Sequence, residues 1–246
     1  MNQQKHHDTC KVSREVIGER DQAIHRAENI VMCIDRGFVP WIGKFYGNNG
    51  IFGQKCILVL GESHYEWCKT CYGNKTKRGG DLTCRCIAEL VAPNFSEQPR
   101  QHWLKIQYAL TGDKASDLES RRSFWHSVAY YNYIQEMVGY WDEEIQERSP
   151  KPTPKMWKNA EDPFLKVLQQ IKPDLVVVLG YTMWPKLPPE DELLTLLKVE
   201  DKQLERCLYS KSIGSEKPIV ACCVRHPAAG FGSTWHPVLE KCISML

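Results

Sequence analysis

The run Cys56-Ile57-Leu58-Val59-Leu60-Gly61-Glu62-Ser63-His64-Tyr65 decides how this chain is read. The apolar, mostly branched residues from Cys56 to Leu60 predict a strand buried on both faces, as in a parallel sheet covered by helices on each side. The run stops at Gly61, and a carboxylate, a hydroxyl, an imidazole and a phenol follow directly. The carboxyl end of a central strand is where α/β folds gather their chemistry.

Working outward, three more runs behave in the same way. Leu175-Val176-Val177-Val178-Leu179 is closed by Gly180, Val128 to Ile134 is β-branched and aromatic, and Ile219 to Val224 is apolar. Between these runs the spacing predicts helices over about 13–35, with Ser13 as a cap, and over 87–91, 102–110 and 121–126. Further helices are expected over 163–171, over 193–208 and from Pro237 onward. Strands separated by helices imply a three-layer α/β/α domain around a central four-stranded, mainly parallel sheet. The expected organisation is one domain over 1–246, with an N-terminal helical extension to about residue 50 and a cysteine-rich insertion over about 66–90. The glycine-rich segment from Gly43 to Gly53 lacks phosphate-loop spacing and reads as a connector.

The 246 residues suffice for one well-buried α/β domain, and two small domains also fit. A net charge of +2 argues against a histone-like polyanion binder while leaving room for a local basic patch. The polar stretch from Met1 to Lys11 does not resemble a signal peptide, and no apolar run reaches membrane-span length. The expectation is a cytoplasmic protein whose 11 cysteines sit in a reducing compartment, where clusters read as metal sites rather than disulfides.

The four strand exits form a series. The first ends in Gly61-Glu62-Ser63-His64-Tyr65, the second carries Asn132, the third ends in Leu179-Gly180, and the fourth ends in Arg225-His226-Pro227. This order resembles the uracil-DNA glycosylase superfamily. There a Gly-Gln-Asp-Pro-Tyr or Gly-Glu-Ala-Pro-Gly motif follows the first strand, an Asn sits on a middle strand, and a His-Pro motif follows the last. The stretch Lys172-Pro173-Asp174-Leu175-Val176-Val177-Val178-Leu179-Gly180 looks like the third core strand of that superfamily, and the resemblance spans about 56–235.

The resemblance implies a monofunctional DNA glycosylase that flips a pyrimidine nucleotide and hydrolyses its N-glycosidic bond, leaving an abasic site. That reaction builds positive charge on the sugar and negative charge on the departing base. A carboxylate near the sugar stabilises the cation and orients water, as in glycoside hydrolysis. By resemblance, Glu62 is the candidate carboxylate and His226 the neutral donor to the base O2, an oxyanion-hole role. Asn132 reads the polar edge of the flipped base, because its amide both donates and accepts. No lysine is clearly placed to form a Schiff base, so strand cleavage is not expected.

The departures from the pattern bear on substrate. Ser63 stands where the best-known branch has its water-orienting Asp, and it completes the catalytic set with Glu62 and His226. His64 replaces a Pro, and Tyr65 matches the tyrosine that walls off the pyrimidine C5 position in the uracil-specific branch. With Ser63 and His64 at the pocket mouth, two substrates stay open: uracil or another deaminated base, and a bulky C5-modified pyrimidine such as those of some phage DNAs. The roles that follow are base-excision repair and antiviral defence. Ala228-Ala229 replaces the usual Ser-Pro, and Phe231 is a candidate wedge for the gap left by the flipped base. Two other readings compete: a non-catalytic DNA-binding module of the same fold, and a hydrolase of free nucleosides or nucleotides.

The series Cys68-x₂-Cys71-x₁₂-Cys84-x-Cys86 offers four thiolates, enough for a tetrahedral zinc site. The polar insertion around it favours a metal clip as its source of order. Lys69, Lys75, Lys77, Arg78 and Arg85 make this lobe basic, and with Arg225 beside His226 they are candidate contacts to DNA phosphates. The expected partner is DNA, bound by a monomer.

Overall fold

The computed structural model describes residues 14–30, 37–66, 69, 80–92, 101–114, 117–227, 229 and 233–246. Its main sheet has seven strands: β1 (Trp41–Ile42), β2 (Ile57–Gly61), β4 (Val128–Asn132), β7 (Leu175–Leu179), β8 (Glu192–Val199), β9 (Lys202–Tyr209) and β10 (Ile219–Val224). They lie in the order β1-β4-β2-β7-β10-β9-β8. The expected strands are the middle of this sheet: β4, β2, β7 and β10 run parallel to one another. The sheet is therefore wider than the four strands expected, with antiparallel β1 on one side and the β9–β8 hairpin on the other.

Successive residues of a strand point to opposite faces, and the central strands supply two cores in this way. Ile57, Val59, Val128, Val177, Cys222 and Val224 face one core, while Leu58, Leu60, Tyr131, Val176, Val178 and Cys223 face the other. The first core is covered by α1 (Arg14–Ile30), α2 (Leu82–Val91), α3 (Gln101–Thr111), α4 (Leu118–Trp125) and α6 (His236–Ser244). The second is covered by α5 (Pro154–Ile171), through Phe164, Val167 and Leu168. Each such fully buried aliphatic side chain contributes about 1.5–3 kcal/mol, which is why β2, β7 and β10 are apolar along their length. Among the described residues no helix is long and apolar enough to cross a membrane.

Two sequence expectations change. The segment over 193–208 is not a helix but the β8–β9 hairpin, turning at Glu200 with φ 53°. The pairing shifts register between Leu194 and Leu197, so the two half-buried leucines of β8 stand three apart. That bulge breaks the alternation of a strand and imitates helical spacing. The helix expected from Pro163 instead starts at Pro154, where Thr153 Oγ1 accepts from Met156 N at 3.2 Å. Proline at the first helical position costs no hydrogen bond, and Pro163 lies inside α5.

A second, three-stranded sheet stands at the carboxyl end of the first. It comprises β3 (His64–Glu66), β5 (Met137–Asp142) and β6 (Glu147–Ser149), in the order β3-β5-β6. Strand β3 begins just beyond the end of β2, and β5 follows closely on β4, so both prolong the central strands past the sheet edge. At the opposite end, Asp174 ties β2 to β7 by accepting from Cys56 N at 2.7 Å, and it pairs with Lys217 ahead of β10.

Candidate active site

Connections leave β2 toward β4 on one side, and the chain later crosses to β7 and β10 on the other. A crevice forms outside the carboxyl ends where the winding reverses, here between β2 and β7. The strands end nearly level: Gly61 stands opposite Asn132, Leu60 opposite Val178, and Leu179 opposite Val224. Register therefore brings Glu62 and Ser63, Asn132, Gly180 and His226 to one edge, although they are far apart in the chain.

Asn132 is buried, and its Oδ1 accepts from the Tyr130 hydroxyl at 3.1 Å. That bond orients the amide and leaves its NH2 group as the donor. Gln135 Nε2 donates to the backbone carbonyl of Asn132, while Gln135 Oε1 accepts from Phe38 N at 2.8 Å. A Cβ at Gly61 would lie 2.3 Å from Asn132 Oδ1 and 2.4 Å from the Tyr130 hydroxyl, so only glycine leaves room for this pair.

His226 is half-buried beyond β10, beside Gly180, whose φ of +126° suits only glycine. A Cβ on Gly180 would come to 3.5 Å from the His226 Cβ, an ordinary contact, so it is the backbone angle rather than space that requires glycine here. Burial, followed by the charge of Arg148, lowers the His226 pKa below its ordinary value and favours the neutral ring. Lys105 Nζ donates to the Pro227 carbonyl at 3.2 Å and ties α3 to this turn.

Glu62 is also half-buried, and burial raises its pKa above the ordinary carboxylate value. Three groups act against that rise: the Ser63 hydroxyl, which donates to Glu62 Oε1 at 3.3 Å, and the charges of Arg148 and Lys151. Ser63 also bonds Tyr65, whose pKa is raised by burial and then by the Glu62 charge. The Arg148 guanidinium lies over the Tyr65 ring, 5.1 Å from its centroid.

His64 departs from expectation, because it turns inward instead of standing at the mouth. Its Nε2 is 2.8 Å from Thr83 Oγ1 on α2, and its ring meets Phe38 edge-on at 4.6 Å. Alternation explains this, since Tyr65 takes the outward face of β3 and His64 takes the inward one. Arg225 is exposed beside His226. Lys77, Arg78, Phe231, Cys68 and Cys71 lie outside the described residues.

Cys84 and Cys86 are described, and they sit on α2 rather than in a polar loop. The Cys84 thiol is buried and donates to the carbonyls of Pro40 at 3.4 Å and Val39 at 3.7 Å. Burial pushes its pKa up to about 12, which keeps the proton in place. Residues two apart on a helix point to different faces, so Cys84 is buried while Cys86 is half-exposed, and the other two thiols of the expected zinc set lie outside the described residues. Among the described residues no group of three or more His, Cys, Asp and Glu side chains is placed to hold a metal.

Sequence reasoning missed Tyr130 and Arg148. Tyr130 had a signal, because it lies two residues before Asn132 and shares its face of β4. Arg148 had none, since it reaches the site through strand pairing alone. The chain matches no protein-family model and no curated protein.

Proposed function

We propose that this chain is a DNA glycosylase that hydrolyses the N-glycosidic bond of a flipped pyrimidine nucleotide. The observation that carries the reading is the meeting of Glu62, Asn132 and a histidine held neutral, His226, at one carboxyl edge of a parallel sheet. The strand order, with β2 and β7 flanking the crevice, fits the resemblance drawn from the strand-exit motifs.

In this reading the base enters the crevice edge-first. The Asn132 amide, oriented by Tyr130, donates to the polar edge of the pyrimidine. As the glycosidic bond stretches, electrons pass to the base, and neutral His226 donates a hydrogen bond to the developing oxyanion. A neutral imidazole suits this role because it keeps its proton in a shared hydrogen bond. Glu62 faces the sugar, where its carboxylate stabilises the oxocarbenium-like cation and orients the attacking water. Ser63 holds that carboxylate from one side. Water adds to the sugar carbon as the Glu62 carboxylate takes its proton, the bond to the base breaks, and the released base anion is protonated from solvent, so that free base and an abasic site remain.

Uracil and a C5-modified pyrimidine are the two candidate bases. The test is mass spectrometry of bases released from oligonucleotides carrying uracil, hydroxymethylcytosine or glucosylated hydroxymethylcytosine, with free nucleosides run in parallel. Release of one base by wild-type protein is expected, with losses of about 10²-fold or more for Glu62→Gln and for His226→Ala. No release from any DNA, or variants as fast as wild type, would overturn the assignment. Release from nucleosides alone would favour the nucleoside hydrolase.

A further inference from the structure

We propose that Arg148 is the phosphate-binding residue of the crevice, gripping a backbone phosphodiester of the DNA strand that presents the base. The inference rests on the reading of the crevice as a nucleic-acid site, and it adds a contact that no motif in the sequence announces.

Arg148 is brought to the crevice by the small sheet. Strand β6 pairs with β5 and β5 with β3, which sets Arg148 opposite Trp141 and Tyr65 opposite Gly139. Gly139 on the middle strand brings no side chain between Tyr65 and Arg148. The guanidinium stacks over the Tyr65 ring, 5.1 Å from its centroid. Stacking of this kind holds the plane of the guanidinium while leaving its N–H groups free to donate at the edge. Arg148 is exposed, and among the described residues no carboxylate lies within ion-pair distance of it.

Its position relative to the strand exits is equally specific. The Arg148 charge reaches Glu62 and Tyr65 beyond β2, Tyr130 on β4 and His226 beyond β10. A cation whose charge is felt at the exits of β2 and β10, and which makes no ion pair among the described residues, is placed for an external anion. A planar guanidinium matches two oxygens of a phosphodiester at once. Lys151 stands on the same side, paired with Glu147 at 3.3 Å, and exposed Arg225 lies beside His226.

The test is the salt dependence of binding of a fluorescein-labelled oligodeoxythymidine, a probe without a base to excise, read by anisotropy. Deoxythymidine monophosphate serves as competitor. Arg148→Gln is expected to weaken binding several-fold at low salt and to lower the slope of log K against log salt by about 0.7, the loss of one phosphate contact on a single strand. Arg148→Lys should keep the slope, and Lys198→Gln, on the distant β8, should match wild type throughout. Equal slope and affinity for Arg148→Gln and wild type would overturn the proposal. So would a wild-type protein that binds no oligonucleotide, or one from which the monophosphate displaces the strand at comparable concentration. Base release is measured separately, so Arg148-dependent strand binding without base release would sink the glycosylase reading and leave this contact standing.

Discussion

The Tyr130 hydroxyl donates to Asn132 Oδ1 at 3.1 Å, directly above Gly61, whose missing side chain is what lets the two meet. The pair spans one face of β4 and fixes which end of the amide looks into the crevice. Tyr130→Phe is expected to release that constraint, broadening the range of bases excised while costing about 1 kcal/mol in stability. Gly61→Ala should cost more, about 1–3 kcal/mol, because its Cβ overlaps both partners. Released-base profiles and thermal melts check both. An unchanged profile for Tyr130→Phe would remove the pair from recognition.

The pH profile follows from the two shifted groups. Glu62 acts as a carboxylate, and burial raises its pKa, so activity should fall as pH drops through a point above the ordinary carboxylate value. His226 acts as the neutral ring, and its pKa is lowered, so its protonation should bring no loss near the usual histidine value. A single acidic limb with a plateau across neutral pH is expected for kcat/KM. It should flatten in Glu62→Gln, measured on whatever activity remains. A limb centred at the ordinary histidine value would contradict the neutral-His226 assignment.

His126 governs a separate, structural pH effect. It is buried between Trp41 and Phe45, its Nδ1 has no partner among the described residues, and burial followed by Arg26, Arg122 and Lys44 lowers its pKa from 6.5 to about 4. Glu19, 3.7 Å from Nε2, offers a counter-charge that these effects outweigh. The unfolded chain binds this proton more readily, so the stability is whole above 6.5 and is lost as pH falls toward 4. The loss amounts to about 3 kcal/mol. Denaturant titrations of wild type and His126→Gln across that window should show a steeper decline in wild type. Parallel curves would refute it.

Cys84 is expected to behave as a core residue. Cys84→Ala should lower stability by about 1–2 kcal/mol, through lost packing and the loss of the weak S–H bond shared by the Pro40 and Val39 carbonyls. The metal content per chain, read by elemental analysis, should be the same in the variant and wild type. A wild type with one zinc that disappears in Cys84→Ala would mean that α2 turns its thiol toward a shared site with Cys68, Cys71 and Cys86.

The four central strands were legible because burial on both faces leaves an unbroken apolar run, and the residue types that end each run mark the carboxyl edge. The placement of Glu62, Asn132 and His226 at the carboxyl edge was legible for the same reason, since strand exits are local features of the chain. The small sheet and the β8–β9 hairpin were not legible. Strands β5 and β6 are short and largely exposed, and the bulge in β8 spaces its leucines as a helix would.

Composition and run length thus settled the layered α/β plan and the central strands. Only tertiary structure decided which groups act on one another there. His64 faces Thr83 and Tyr65 faces Arg148 although the two are adjacent in the chain, because neighbouring residues of a strand point in opposite directions. Arg148 comes to Tyr65 through pairing across β5. Such a contact depends on strand register, which belongs to the packed sheet and has no counterpart in the local order of residues.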